Sequence, residues 1–183
     1  RAVRRAIELG VTFFDTADVY GAGHSERVLG EALGTSRSSV VIATKFSNVF
    51  DEEQKQITGS DASPDYIRSA CDASLRRLGT DYIDLYQFHN GGCDIERAEE
   101  VMETLERLVD AGKIRSYGWS TDDPDRARLV ARGEHCAAIQ HQMNVLTGRT
   151  PALEVCEELD LASINRGPLA MGLLSGKYNR ESE

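Results

Sequence analysis

Apolar runs of β type alternate strictly with amphipathic helical stretches along this chain, and that rhythm limits the folds open to it. The runs are VTFFD (11–15), SVVIATK (39–45), YIDLYQFH (82–89), IRSYGWS (114–120), AAIQHQ (137–142) and LASINR (161–166). Helical patterns cover roughly 2–9, 25–34, 64–78, 95–111, 124–132 and 151–159. Within 64–78, Ile67, Ala70, Cys71, Ser74, Leu75 and Leu78 recur at the helical period and form one apolar face. Three helix starts are marked by a capping residue followed by proline: Ser63-Pro64, Asp123-Pro124 and Thr150-Pro151. Gly112 and Gly133 stand where helices should stop. Near-continuously apolar strands separated by helices predict a parallel sheet covered by helices. An open doubly wound sheet and a (β/α) barrel both satisfy that pattern. The polar stretch 51–63 is long for a βα connection, and such excursions at strand C-termini are usual for active-site loops of barrels. A single domain over 1–183 is expected.

Each run ends on, or carries, a residue that a buried strand should avoid. The first ends at Asp15, the second at Lys45 and the third at His89; the fourth ends at Ser120, the fifth carries Gln140 and the sixth ends at Arg166. Parallel strands of a barrel bring all their C-terminal ends to one rim. Parity agrees, because counting back in twos from Asp15 gives Phe13 and Val11, and from Lys45 gives Ala43 and Val41. From His89 the same count gives Gln87 and Leu85. Taken singly, each residue has a plain structural reading: a turn-forming aspartate, a lysine reaching for water, a histidine satisfied in the core. Their joint occurrence on consecutive strand ends points to chemistry instead. Asp18 and Glu26 read as structural, a turn acid and a first-turn acid favoured by the helix dipole.

Asp15, Tyr20, Lys45 and His89 make a coherent set. A tyrosine titrates near ~10; a nearby ammonium favours its phenolate and lowers that value. A buried lysine needs an anion, and Asp15 can supply one. The product is a phenol tuned to exchange a proton with a substrate oxygen. A neutral His89 can donate a second hydrogen bond to that oxygen. Such a group suits addition to a carbonyl, yet none of it is a reductant, so a cofactor must bring the electrons.

The bulk numbers exclude other classes. With 40% hydrophobic and 28% charged residues, the composition is that of a soluble globular protein. A net charge of -9 argues against nucleic-acid and anionic-membrane surfaces. No apolar run approaches the roughly 20 residues of a membrane span, and no signal-peptide pattern opens the chain. Cys71, Cys93, Cys136 and Cys156 are scattered without a C-x-x-C pair, which predicts reduced thiols in a cytoplasmic protein. His135, Cys136 and His141 lack a recognised ligand spacing, so no metal site is expected.

"FFDTADVYGAGHSE", "VVIATK" and "RLGTDYIDLYQFH", with "AGKIRSYGWST" and "GPLAMGLLSGKY", together resemble the aldo-keto reductases. The resemblance runs from the first residues to about Tyr178. It implies a (β/α)8 TIM barrel that binds NADPH, with NADH possible, and reduces an aldehyde or ketone to an alcohol. Under it Tyr20 is the general acid, Lys45 and Asp15 tune it, and His89 orients the carbonyl. Ser120 and Gln140 match positions that hold the nicotinamide carboxamide; Gly167, Leu169 and Lys177 fall in the segment along the cofactor phosphates. Thr121 stands where many members have asparagine and still offers a hydroxyl. Arg166 stands where many have a stacking aromatic; its guanidinium plane can also stack, so it remains a cofactor contact. "GAGHSE" holds a G-x-G but lacks the third glycine of a dinucleotide fingerprint, and reads as a loop.

A (β/α)8 barrel needs eight strands, and six are legible here. The first and last strands of the family are expected to be absent, leaving a gap between 11–15 and 161–166. Two other readings follow from the resemblance. One is a cofactor-binding redox sensor like the potassium-channel β subunits, which carry asparagine at the position of His89. The other is a truncated chain unable to hold cofactor tightly.

Overall fold

In the computed structural model, residues 1–89 and 97–178 are described. Helix α1 (Ala2–Glu8) leads into strand β1 (Phe13–Asp15), followed by α2 (His24–Leu33), a 3-10 turn (Gly34–Ser39) and β2 (Val41–Phe46). A hairpin, β3 (Asn48–Asp51) and β4 (Gln56–Ser60), precedes α3 (Pro64–Leu78), β5 (Ile83–Phe88) and α4 (Ala98–Asp110). Then come β6 (Ile114–Ser120), α5 (Pro124–Val130), β7 (Cys136–Gln142), α6 (Pro151–Glu158), β8 (Ala162–Arg166) and a 3-10 segment (Ala170–Ser175). Part of the helical pattern at 95–111, and Cys93, lie outside the described residues.

Six strands form one parallel sheet in the order β1-β2-β5-β6-β7-β8, curled into a half-barrel. The two end strands are edges and do not pair with each other, as the missing-strand reading expects. Alternation along the strands sorts the side chains. Ile42, Phe46, Tyr86, Phe88, Trp119 and Ile139 face the helices and build the main core with Ile67, Cys71 and Leu105. Its centre is a run of rings: Phe46 lies 4.6 Å from Tyr86 and 5.4 Å from Phe88, and Phe88 lies 5.1 Å from Trp119. On the inner face Ala43, Leu85 and Ala138 form a second, small cluster with Ile164. Burying apolar faces on both sides is what the near-continuous apolar runs require.

The three proline-marked starts are real caps. Ser63, Asp123 and Thr150 accept backbone N–H groups of Tyr66, of Asp125 and Arg126, and of Leu153. Satisfying those otherwise orphaned donors fixes where α3, α5 and α6 begin. The polar stretch after β2 is not a plain loop. Asn48–Asp51 and Gln56–Ser60 pair antiparallel, and the Asp51 carboxylate caps the turn through Glu53 and Gln54 at 2.8 Å each. Every residue of β4 is exposed. A strand with no buried face leaves no alternation in the sequence, which is why the hairpin reads as a loop there. No helix among the described residues is long and apolar enough to cross a membrane.

Candidate active site

The C-terminal ends of the strands converge as the parity argument predicts. A hollow of about 580 Å³ at that rim is lined by Asp15, Tyr20, His89, Ser120, Thr121, Asp122, Asp123, Gln140 and Arg166. Lys45 lies beneath it, fully buried, with Nζ donating to Asp15 Oδ2 and to the Thr16 carbonyl at 2.7 Å each. The ammonium also sits 5.2 Å from the centre of the Tyr20 ring. β2 runs one residue past Lys45, to Phe46, and His89 lies just beyond β5.

The carboxylate of Asp15 collects more partners than sequence reasoning assigned to it. Gln87 and Gln140 each donate a side-chain N–H to Asp15 Oδ1 at 3.1 Å. Gln87 is fully buried and is a residue the motif reading missed. Its signal was its place two before His89, in the inward column. Gln140 reaches the hollow as expected; one of its two amide N–H groups is donated to Asp15, which leaves its carbonyl oxygen and one N–H for a ligand. Ser120 offers a hydroxyl with no partner among the described residues, whereas Thr121 Oγ1 accepts the Asp123 N–H at 3.1 Å.

The site's proton affinities follow from burial first. The Tyr20 phenol is pushed above its ordinary value by burial and then by Asp15, with Arg166 acting the other way. The sequence predicts the opposite direction; in the fold the Lys45 ammonium is taken up by Asp15, and burial decides. Lys45 itself is lowered by burial, while Asp15 and then Asp18 favour its charged form. Burial, followed by Lys45, holds the His89 imidazole down at about 4, and Asp15 opposes them. His89 is therefore neutral at neutral pH and Tyr20 keeps its proton, the states in which both donate hydrogen bonds. The two rings meet edge to face with centroids 6.0 Å apart. The Tyr20 hydroxyl makes no hydrogen bond among the described residues and is 44% exposed as a residue, so it is open to a ligand.

Arg166 lines the hollow and pairs with Asp122, which also accepts the Gln142 N–H at 2.6 Å. Asp122 is a second residue absent from the motif reading. Gly167, Leu169 and Lys177 do not line this hollow; they follow β8 on the segment that leaves the rim. Gly167 takes φ 67 and its carbonyl accepts from Asn144 Nδ2 at 3.1 Å. Asp18 and Glu26 lie beside the site and are buried. Glu26 accepts from Thr44 and Arg77 at 2.6 Å each, a buried ion pair that ties α2 to α3 as well as a first-turn acid. His135 pairs with Glu106 at 2.6 Å, and His141 contacts Ser163 at 2.8 Å and Thr150 at 3.1 Å.

A family model described as "Aldo/keto reductase family" matches residues 1–183. The chain belongs to that family. The "Uncharacterized oxidoreductase YqkF" of Bacillus subtilis (strain 168) is 37% identical over 173 residues, 94% of this chain and 56% of that protein. Among solved structures, the aldo-keto reductase AKR11C1 from Bacillus halodurans (holo form) matches with a TM-score of 0.88 and 35% identity. The match covers 99% of this chain and 60% of that one. An aldo/keto reductase from Klebsiella pneumoniae in complex with NADP and acetate matches with a TM-score of 0.75 and 34% identity, over 99% of this chain and 62% of its own. The chain thus spans little more than half the length of the relatives it resembles.

Proposed function

We propose that the chain carries the catalytic centre of a cytoplasmic NAD(P)H-dependent oxidoreductase that reduces an aldehyde or ketone to an alcohol, with Tyr20 as general acid. One observation carries this reading. The Tyr20 hydroxyl, unbonded among the described residues, shares a hollow with neutral His89, over a buried Lys45 that is paired with Asp15. Family membership and the NADP complex of the Klebsiella pneumoniae relative agree with it.

The residues present fit a nicotinamide carboxamide. Ser120 supplies a hydroxyl donor and Gln140 a carbonyl acceptor, neither bonded among the described residues, which complement an amide's oxygen and NH₂. NADPH is the favoured form, NADH being the alternative, and Thr121 and Arg166 would complete the contacts at this rim. Gly167, Leu169 and Lys177 are assigned to the phosphate-bearing part of the cofactor. When bound, the nicotinamide supplies the hydride that adds to the carbonyl carbon. Tyr20 Oη and His89 both donate hydrogen bonds to the carbonyl oxygen and fix its place. As that oxygen gains charge it takes the Tyr20 proton, and the resulting phenolate is stabilised by the Lys45 ammonium. Asp15 keeps Lys45 charged in a site whose burial would otherwise favour its neutral form. Solvent returns the proton to Tyr20 through the open side of the hollow. The histidine weighs against the redox-sensor reading, because the potassium-channel β subunits that the reading rests on carry asparagine at this position.

The test is reduced-cofactor consumption with a reactive aldehyde. Tyr20→Phe should lower kcat by at least ~100-fold while cofactor affinity stays within about twofold. Unchanged turnover in that variant removes Tyr20 as the acid.

A further inference from the structure

His89 has a partner that no motif announces. Asn48, the first residue of β3, places its side-chain nitrogen 3.1 Å from His89 Nδ1. The chain reaches Asn48 from Lys45 through Ser47, which is fully buried and holds φ 107, a conformation L residues rarely adopt. Two further bonds pin this corner. The Ser47 carbonyl accepts the Asp61 N–H at 2.9 Å, and the Asn48 carbonyl accepts the Tyr66 hydroxyl at 2.8 Å. Tyr66 lies in the first turn of α3, whose start is fixed by the Ser63 cap. The amide of Asn48 is therefore held against His89 by backbone anchored on both sides.

A neutral imidazole has one N–H and one lone pair on its two nitrogens, and whatever meets one decides the state of the other. An amide N–H at Nδ1 needs the lone pair there, so the proton must sit on Nε2. Resting on the carbonyl-reduction reading above, we infer that Asn48 is a positioning residue which fixes His89 as the Nε2–H tautomer, leaving Nε2 as the donor available to the substrate oxygen. The opposite tautomer would offer that oxygen only a lone pair, which repels it. The hairpin gains a purpose from this assignment: its first residue sets the protonation pattern of the site.

The experiment reads the tautomer directly in the purified, ¹⁵N-labelled chain at neutral pH. Long-range ¹H–¹⁵N spectra distinguish a protonated from a lone-pair-bearing ring nitrogen, and His89→Gln identifies the His89 signals. The expected result is a bare Nδ1 and a protonated Nε2. Asn48→Ala should give an averaged mixture of the two tautomers, and Asn48→Asp should put a proton on Nδ1. A protonated Nδ1 in the unmutated chain overturns the inference outright, whether or not any variant folds. So does an unchanged Nε2–H tautomer in folded Asn48→Ala. Turnover is the second arm: Asn48→Ala should lower kcat/KM for an aldehyde by about tenfold at unchanged cofactor affinity. The spectra do not depend on turnover, so an absence of carbonyl reduction would overturn the functional reading separately from the tautomer assignment.

Discussion

Three donors from three strands meet on one carboxylate. Lys45 on β2, Gln87 on β5 and Gln140 on β7 all bond to Asp15 at the end of β1. Lys45 is fully buried while the Asp15 side chain is 30% exposed, and such a pair is weak evidence of stabilisation, because desolvation of the ammonium offsets much of the Coulombic gain. What the cluster does achieve is a fixed cation beneath Tyr20. Asp18, three residues further along the chain, behaves differently. It is almost wholly buried, beside Glu26, and its carboxyl is raised to about 7 by burial first and by Glu26 next. An acid raised in the folded state binds protons more tightly there than in the unfolded chain. Its contribution to stability is thus full below the ordinary value of 3.8 and is lost as pH climbs through about 7. At about 1.4 kcal/mol for each tenfold change in proton affinity, the resulting penalty at high pH has a ceiling of about 4 kcal/mol. Asn keeps the oxygen that accepts the Val19 N–H at 2.6 Å and cannot ionise. Asp18→Asn should match the parent's melting temperature at pH 4 and exceed it by several degrees at pH 8. Parallel melting curves for the two proteins from pH 4 to 8 would contradict the assignment.

At the scale of elements, the seat of the Tyr20 loop is the packing of α2 on α3. Arg77 of α3 reaches Glu26 of α2, and Gly30 of α2 lets the two helices close on each other. A Cβ at Gly30 would fall 2.2 Å from the Leu78 carbonyl oxygen and 2.6 Å from its carbon. The obstruction is backbone, which cannot swing aside as a side chain can. Gly30→Ala would gain about 1 kcal/mol in helix propensity and should still lose about 1–3 kcal/mol net through forced separation of the helices. Denaturant titration of the variant checks the sign, and a stabilised protein would show that the helices have room to spare. Elements of this kind were legible where the sequence carries a period or a cap. The six strands, the helices and the starts at Pro64, Pro124 and Pro151 follow from apolar spacing and capping residues. The hairpin was not, since neither of its strands is buried enough to alternate. Among site residues, Asp15, Tyr20, Lys45, His89, Ser120, Thr121, Gln140 and Arg166 gather at one rim or directly beneath it. Asn48 carries no signal in the sequence, because its partner lies 41 residues away and is met only through a strained turn. No local pattern encodes such a meeting.

For the whole molecule the decisive feature is the open wall of the half-barrel. β1 and β8 end the sheet with backbone groups that no neighbouring strand satisfies among the described residues. The inner face beside them is a hollow of about 610 Å³ lined by Phe13, Val41, Leu85, Ala138, Ala162 and Ile164 among others. Phe13 is 40% and Val41 39% exposed, in positions where a closed barrel would bury them. Open strand edges next to an apolar face favour pairing with another chain. The relatives carry polypeptide beyond the matched stretch, which covers 60% of the Bacillus halodurans protein. Residues 1–183 by themselves should therefore bind a hydrophobic dye such as ANS and self-associate as concentration rises. Sedimentation velocity across a range of concentrations, with dye fluorescence in parallel, provides the check. Phe13→Lys places a charge on the edge strand and in the mouth of the hollow, and should reduce both signals together. A chain that stays monomeric without binding dye would mean that the wall is closed in solution by an arrangement other than the six-stranded sheet described here.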